Sequence, residues 1–216
     1  MTWVNLSHPF YNGMPNPKAF TTPTFKNLYH LDTDNINVTE YTTTTHVGTH
    51  VDAPSHFIPN GLTIDELPLE SFMGEGFVLK VKKDPFSVIT ADDLLPYESS
   101  IKENDILILH TGWDKLYGQE TYNEHPYLSE ECAEWLVSKK IKALGVDFTT
   151  PDCPIVKRPP FFNWPIHHIL LRNNILVIEH LANLSGLDNK RVYINASPII
   201  IENADGAPAR VIAKAL

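Results

Sequence analysis

Three apolar runs limit what this chain can fold into. They are DILILH at residues 105–110, ALGVDF at 143–148 and NILVIEH at 174–180. The first reads as a strand covered on both faces, the second as a strand and the third as another buried strand. Helical patterns fall between them. Ser129 is a good N-cap, Glu130 and Glu131 fill the first turn, and Ala133, Leu136, Val137 and Lys140 share one face. These features predict a helix over 130–140, with Lys139, Lys140 and Lys142 near its C-terminus, where the dipole favours cations. Asn163 is placed to cap a short helix with Pro165 in its first turn, running to about Arg172. Residues 37–45 (Val, Tyr and Thr-rich), 76–82, 191–194 and 209–213 also read as strands. Strands outnumber helices and alternate with them only in the second half. The expected fold is therefore α/β or α+β around a largely buried mixed sheet.

The 216 residues are 43% hydrophobic and 20% charged, which suits one globular domain over 1–216. Seventeen basic against 26 acidic residues leave a net charge of −9, which repels phosphate backbones and argues against nucleic acid as a partner. No apolar run approaches the roughly 18 residues of a membrane span. The start, MTWVNLSHPF, lacks the pattern of a secretory signal. Two cysteines, Cys132 and Cys153, are too few for a disulfide scaffold or a four-cysteine zinc site. Reduced thiols and a cytoplasmic location are the expectation.

The chemistry concentrates in residues 46–56, HVGTHVDAPSH. His46, His50, Asp52 and His56 all stand at even positions. Gly48 and Pro54 oppose a helix. An extended chain would aim all four to one side and leave Val47, Thr49, Val51, Ala53 and Ser55 for a buried opposite face. Imidazoles with a carboxylate suit Zn²⁺ or Mn²⁺, and three protein ligands leave a position open for water. The plainer alternative is a polar strand with surface histidines. A second group lies downstream. His167 and His168 fall on the short helix, and Glu179 sits inside an apolar run. A carboxylate there is paired or ligating; Arg172 and Arg191 are the pairing alternatives.

The run H-x-G-T-H-x-D-x-P-x-H resembles the signature of the metal-dependent cyclase/hydrolase superfamily, which contains bacterial kynurenine formamidase and isatin hydrolase. Weaker matches occur in the family's order along most of the chain: Asn5-Leu6-Ser7 with Gly13-Met14-Pro15, His110 to Trp113, Gly145-Val146-Asp147, His167-His168 with Ile178-Glu179, and Asp205 to Arg210. The resemblance implies a cyclase-like swivelling β/β/α domain with a mixed central sheet, assembled as a homodimer or homotetramer. It implies that His46, His50 and Asp52 hold one metal, that Asp52 bridges to a second held by His167 and Glu179, and that His56 is the general acid and base. His167 is chosen over His168 by its spacing to Glu179. One or two zinc or manganese ions are expected. The implied reaction is hydrolysis of a C–N bond in a small amide, formamide or cyclic amide. An isatin-hydrolase-like ring opening, a cyclase, and a metal-dependent binding protein without turnover are the alternatives; the last would not need His56.

The periphery departs from the formamidases. Residues 14–20 hold no tryptophan, where kynurenine formamidases carry one against the aromatic substrate; Phe20 is the aromatic residue available. Residues 152–167 include Arg158, Phe161, Phe162 and Trp164. They suit either a substrate wall, with Arg158 on a substrate carboxylate, or a subunit contact. Thr49 is either an orienting partner of the ligands or only a strand residue. His8, His30, His110, His125 and His180 are expected to make local hydrogen bonds. As a strand residue after Glu179, His180 would point to the other face.

Overall fold

A computed structural model describes residues 2–216. Strands β1 (Val4–Asn5), β2 (Thr24–Tyr29), β3 (Val38–Thr42), β4 (His50–Asp52) and β5 (Met73–Lys80) come first, with a short helix α1 (Leu31–Asp34) between β2 and β3. Strand β6 (Val88–Ile89), helix α2 (Ala91–Leu94), β7 (Ile106–His110), β8 (Tyr127–Leu128), α3 (Glu130–Ser138) and β9 (Ala143–Val146) follow. The chain ends with α4 (Pro165–Arg172), β10 (Leu176–Glu179), β11 (Lys190–Asn195), β12 (Gly206–Pro208) and β13 (Ile212–Ala215).

Nine strands form one mixed sheet in the order β1-β13-β11-β5-β7-β9-β10-β4-β12. The middle four, β5, β7, β9 and β10, are parallel, and the flanks are antiparallel. The three apolar runs are β7, β9 and β10, and both faces are covered. Leu107, Leu109, Leu144 and Val177 pack with α3 and α4 in one core. Their neighbours Ile106, Ile108, Ala143 and Ile178 enter a second core. That second core also holds Val51 and Ala207 from one end of the sheet with Val192 and Ala213 from the other, so the sheet curls on itself.

Helix α3 begins as predicted, with Ser129 Oγ accepting from Cys132 N at 3.1 Å. Its buried face is Cys132, Ala133 and Leu136, while Lys140 lies outside it with φ of +53°. Helix α4 also forms, but Asn163 does not cap it: the N-cap position is Trp164, whose side chain makes no cap bond. The carboxylate of Asp152 does so, accepting from Ile166 N at 3.0 Å and His167 N at 3.1 Å. Of the strand expected at 209–213, only residues 212 and 213 are strand, at the start of β13, and β12 lies before it. Strands β2 and β3 pair only with each other, and nearly every residue of this hairpin is exposed. Trp113 and its neighbours close the loop after β7 around Asp147, whose carboxylate accepts from the N–H groups of Thr111, Gly112 and Trp113.

Candidate metal centre

Residues 46–56 are not one extended segment. Only His50, Val51 and Asp52 are strand. His46 lies in the turn before β4, and His56 in a 3-10 turn opened by Pro54. The four side chains converge nonetheless. Gly48, at φ of +64°, reverses the chain so that His46 folds back toward the strand. A Cβ on Gly206 would lie 2.7 Å from His46 Cε1, so the glycine makes room for that ring. Within β4 alternation keeps His50 and Asp52 on one face, and the antiparallel register places Glu179 of β10 opposite His50.

The distances define a compact cluster. His46 Nδ1 is 2.7 Å and His50 Nε2 3.2 Å from Asp52 Oδ1. His167 Nε2 is 3.3 Å from both Asp52 Oδ2 and Glu179 Oε1, and His50 Nε2 is 3.4 Å from Glu179 Oε2. The sets His46/His50/Asp52 and Asp52/His167/Glu179 each bring one ligand atom per residue within 4.8 Å of the others, with Asp52 common to both. His168 is half-buried against Phe57 and belongs to neither. Glu179 makes no pair with Arg172 or Arg191; the latter binds Glu75 and Asp105.

Hydrogen bonds fix which nitrogens are free. His50 Nδ1 lies 2.7 Å from Gly48 O, and His167 Nδ1 lies 2.6 Å from Asp152 Oδ2. Each Nδ1–H donates outward, so each Nε2 faces the carboxylates. Burial lowers His167, but hydrogen bonds with Asp152, Asp52 and Glu179 raise it well above the ordinary range. His50 Nε2, Asp52 Oδ2 and Glu179 Oε1 are buried without a hydrogen-bond partner. Such a set is costly unless a cation fills it, so these residues fit a borderline divalent ion. The local electrostatics agree. Burial opposes a charge on Asp52, yet His50 and His46 hold its carboxyl well below the usual range. Burial also lowers His46, but Asp52 and Asp205 outweigh it and raise the imidazole to about 10. The carboxylates demand positive charge at this point.

His56 stands at the rim. Its ring stacks on His46 at 3.8 Å between centroids, and its Nδ1 is 3.3 Å from Asp205 Oδ2. Asp205 also lies 3.0 Å from His46 Nε2, and its carboxyl is held low by hydrogen bonds from His46 and His56.

Four residues at this site carry no role in the sequence reading. Asp152 orients His167, yet it stands fifteen positions away, beyond the reach of a local capping rule. Asp205 appears only inside a terminal motif, and its contact with His56 spans 149 positions. Phe57 packs on His167 at 4.8 Å and on Trp164 at 6.0 Å. His180 does not turn to the opposite face. Its φ of +56° ends β10 and brings one ring nitrogen within 4.8 Å of ligand atoms of His50 and Glu179. Its Nδ1 is 2.9 Å from the hydroxyl of Tyr122. Burial holds His180 neutral and keeps Tyr122 a phenol, so the contact is a hydrogen bond between two uncharged groups. Thr49 serves the frame rather than the ligands: its hydroxyl donates to His180 O at 2.7 Å and accepts from His8 N at 3.0 Å.

The aromatic candidates divide. Arg158 lies over Phe162 and Trp164, at 5.0 and 4.9 Å, and its Nε donates to Cys153 O at 2.8 Å. Trp164 reaches the cluster through Phe57. Phe161 is wholly exposed and Phe20 is 37% exposed.

The family described as putative cyclase matches residues 4–153, and the chain belongs to it. Isatin hydrolase of Roseibium aggregatum is 32% identical over 190 residues, 78% of this chain and 71% of that protein. Kynurenine formamidase of Erythrobacter litoralis is 26% identical over 213 residues, covering 98% and 93%. An isatin hydrolase solved with the product analogue thioisatinate matches with a TM-score of 0.87 and 26% identity, covering 98% of this chain and 91% of that one. A structure described as a potential metal-dependent hydrolase with cyclase activity matches at 0.80 and 25%, covering 98% and 96%. The chain is a metal-dependent hydrolase of the amidohydrolase kind, acting on carbon–nitrogen bonds.

Proposed function

We propose that the protein hydrolyses the C–N bond of a small aryl amide, an aryl formamide in the first instance, with His56 as general acid and base. The observation that carries this reading is the group of buried polar atoms without hydrogen-bond partners, His50 Nε2, Asp52 Oδ2 and Glu179 Oε1, with a partly buried histidine at its edge. His46, His50 and Asp52 hold one zinc or manganese ion, and Asp52, His167 and Glu179 offer a second position. Bound there, such an ion lowers the pKa of water toward neutrality and polarises a carbonyl oxygen. His56 takes the proton of the attacking water and returns it to the departing nitrogen, a task suited to imidazole. Asp205 holds Nδ1 of His56, leaving Nε2 free to exchange that proton. Arg158, Phe162 and Trp164 border the substrate.

Opening of a cyclic aryl amide is the second reading. It is supported by the 32% identity to an isatin hydrolase. The absence of a tryptophan in residues 14–20 weighs the same way. Two unpaired cysteines suit a reducing compartment such as the cytoplasm. A homodimer or homotetramer would cover the β2–β3 hairpin, which exposes Leu28, Tyr29 and Val38.

Elemental analysis of the purified protein, with hydrolysis of formanilide, N-formylkynurenine and isatin with and without added Zn²⁺ or Mn²⁺, tests the proposal. Stoichiometric metal with turnover of an aryl amide supports it. Absence of metal under every condition rejects it.

A further inference from the structure

A second cluster of ligand-type side chains stands apart from the candidate metal centre. His110, Asp114 and Asp147 each bring one ligand atom within 4.8 Å of the others, and they share no residue with the sets around Asp52. His110 ends β7, Asp114 lies in the 3-10 turn that follows it, and Asp147 comes directly after β9. Strands β7 and β9 are parallel neighbours, so their carboxyl ends carry the histidine and the aspartate to the same place.

His110 is only 3% exposed. Its Nδ1 lies against Oδ1 of Asp188, a contact that spans 78 positions. Its Nε2 is buried without a hydrogen-bond partner, and so is Oδ1 of Asp114. The other oxygen of Asp114 accepts from Asn183 N at 2.9 Å. Asp147 is fully buried, and its carboxylate accepts from the N–H groups of Thr111, Gly112 and Trp113 and from the Thr111 hydroxyl at 2.6 Å. Each potential ligand is thus fixed from behind: His110 by a carboxylate, Asp114 and Asp147 by backbone N–H groups. Proteins hold metal-ligating histidines and carboxylates in this way.

The charge balance points the same way. The carboxylates of Asp114, Asp147 and Asp188 surround one imidazole. Lys80 pairs with Asp188 at 2.6 Å, but among the described residues no lysine or arginine pairs with Asp114 or Asp147. Two carboxylates brought together away from water need a cation between them. A water molecule in their midst would satisfy hydrogen bonds and leave the repulsion in place.

We infer that His110, Asp114 and Asp147 form a separate divalent-cation site, with Asp188 positioning His110. One imidazole with two carboxylates suits manganese or a similar first-row ion better than calcium, which takes oxygen ligands. The role of this site is structural. An ion here joins the ends of β7 and β9 to the turn between Gly112 and Leu116, and Asp114 extends the brace to Asn183 beyond β10.

Manganese itself is the probe. Chelator-stripped wild type, Asp52→Ala, Asp114→Asn and the double variant are titrated with Mn²⁺, and the free ion is read by electron paramagnetic resonance. Asparagine keeps an acceptor for Asn183 N and removes the charge, so the fold is retained. Asp52→Ala, which lacks the carboxylate shared by both sets of the candidate metal centre, is expected to keep one equivalent of Mn²⁺ that the double variant lacks. Wild type is expected to bind one equivalent more than Asp114→Asn. At a hundredfold excess over Kd, the ion should raise the Tm of Asp52→Ala by about 5–10 °C and leave that of the double variant unmoved. Equal uptake by Asp52→Ala and the double variant overturns the inference. Should Asp52→Ala fail to fold, equal uptake by wild type and Asp114→Asn overturns it alone.

Discussion

His50, Asp52, His167 and Glu179 are each less than a tenth exposed, whereas in the loop before α4 Phe161 is wholly exposed and Trp164 is 37% exposed. The first group stands on two paired strands and a helix whose N-terminus is capped by Asp152. The second is held by stacking around Arg158, with positive φ at Phe161 and Trp164. Rigid elements fix metal ligands to within a fraction of an ångström, and loops supply contacts that vary with the substrate. On the proposed reading, the reaction belongs to the sheet and the fit of the substrate to the loop.

The largest effect should come from the buried side. Asp52→Ala removes the carboxylate shared by both ligand sets, so bound metal and activity should vanish together, with a loss on the order of 10⁴-fold or more. Elemental analysis and kinetics on the same sample check this. Next is His56→Ala, expected to cut kcat by roughly 10²- to 10⁴-fold with metal content unchanged. An empty site in that variant would make His56 a ligand and break the assigned division of roles. Asp152→Ala should weaken metal affinity by about 10- to 100-fold through the loss of His167 orientation, read by titration against a chelator. Trp164→Ala, on the loop side, should raise KM by about tenfold or less and leave metal binding untouched. If it empties the site instead, the two regions are not separable.

The smallest test concerns the frame beneath the floor. His125 stacks on Phe148 at 5.4 Å, and Phe148 O receives the N–H of His180. Burial pushes His125 down to about 4. Its folded value lies below the unfolded one near 6.5, so the unfolded chain binds the extra proton first. The stability tied to neutral His125 is therefore present above pH 6.5 and lost as pH falls toward 4, on the order of 2 kcal/mol by pH 5. Denaturant unfolding at pH 7 and pH 5 should show this decline in wild type and a shallower one in His125→Gln.

Much of the fold follows from local rules. The apolar runs became β7, β9 and β10 because a strand buried on both faces has no polar positions to alternate. Ser129 and the two glutamates after it set the start of α3 through contacts within one turn. The hairpin strand β3 was legible from its composition, although it stands in water rather than in a core.

The residue types of the metal cluster were equally plain in HVGTHVDAPSH and in the glutamate within NILVIEH. Their means of convergence was not. An extended segment was the simplest way to aim four side chains together, but the chain uses a turn at Gly48, a three-residue strand and a 3-10 turn. What the sequence by itself determined was the set of buried strands, the main helix and the residue types of the candidate cluster, because these depend on spacing within a few residues. What only the tertiary structure decided was the cap of α4 by Asp152, the contact of Asp205 with His56, and the turn of His180 toward the site. Each rests on a contact between distant segments or on a backbone angle held by such contacts, and local spacing carries no record of either.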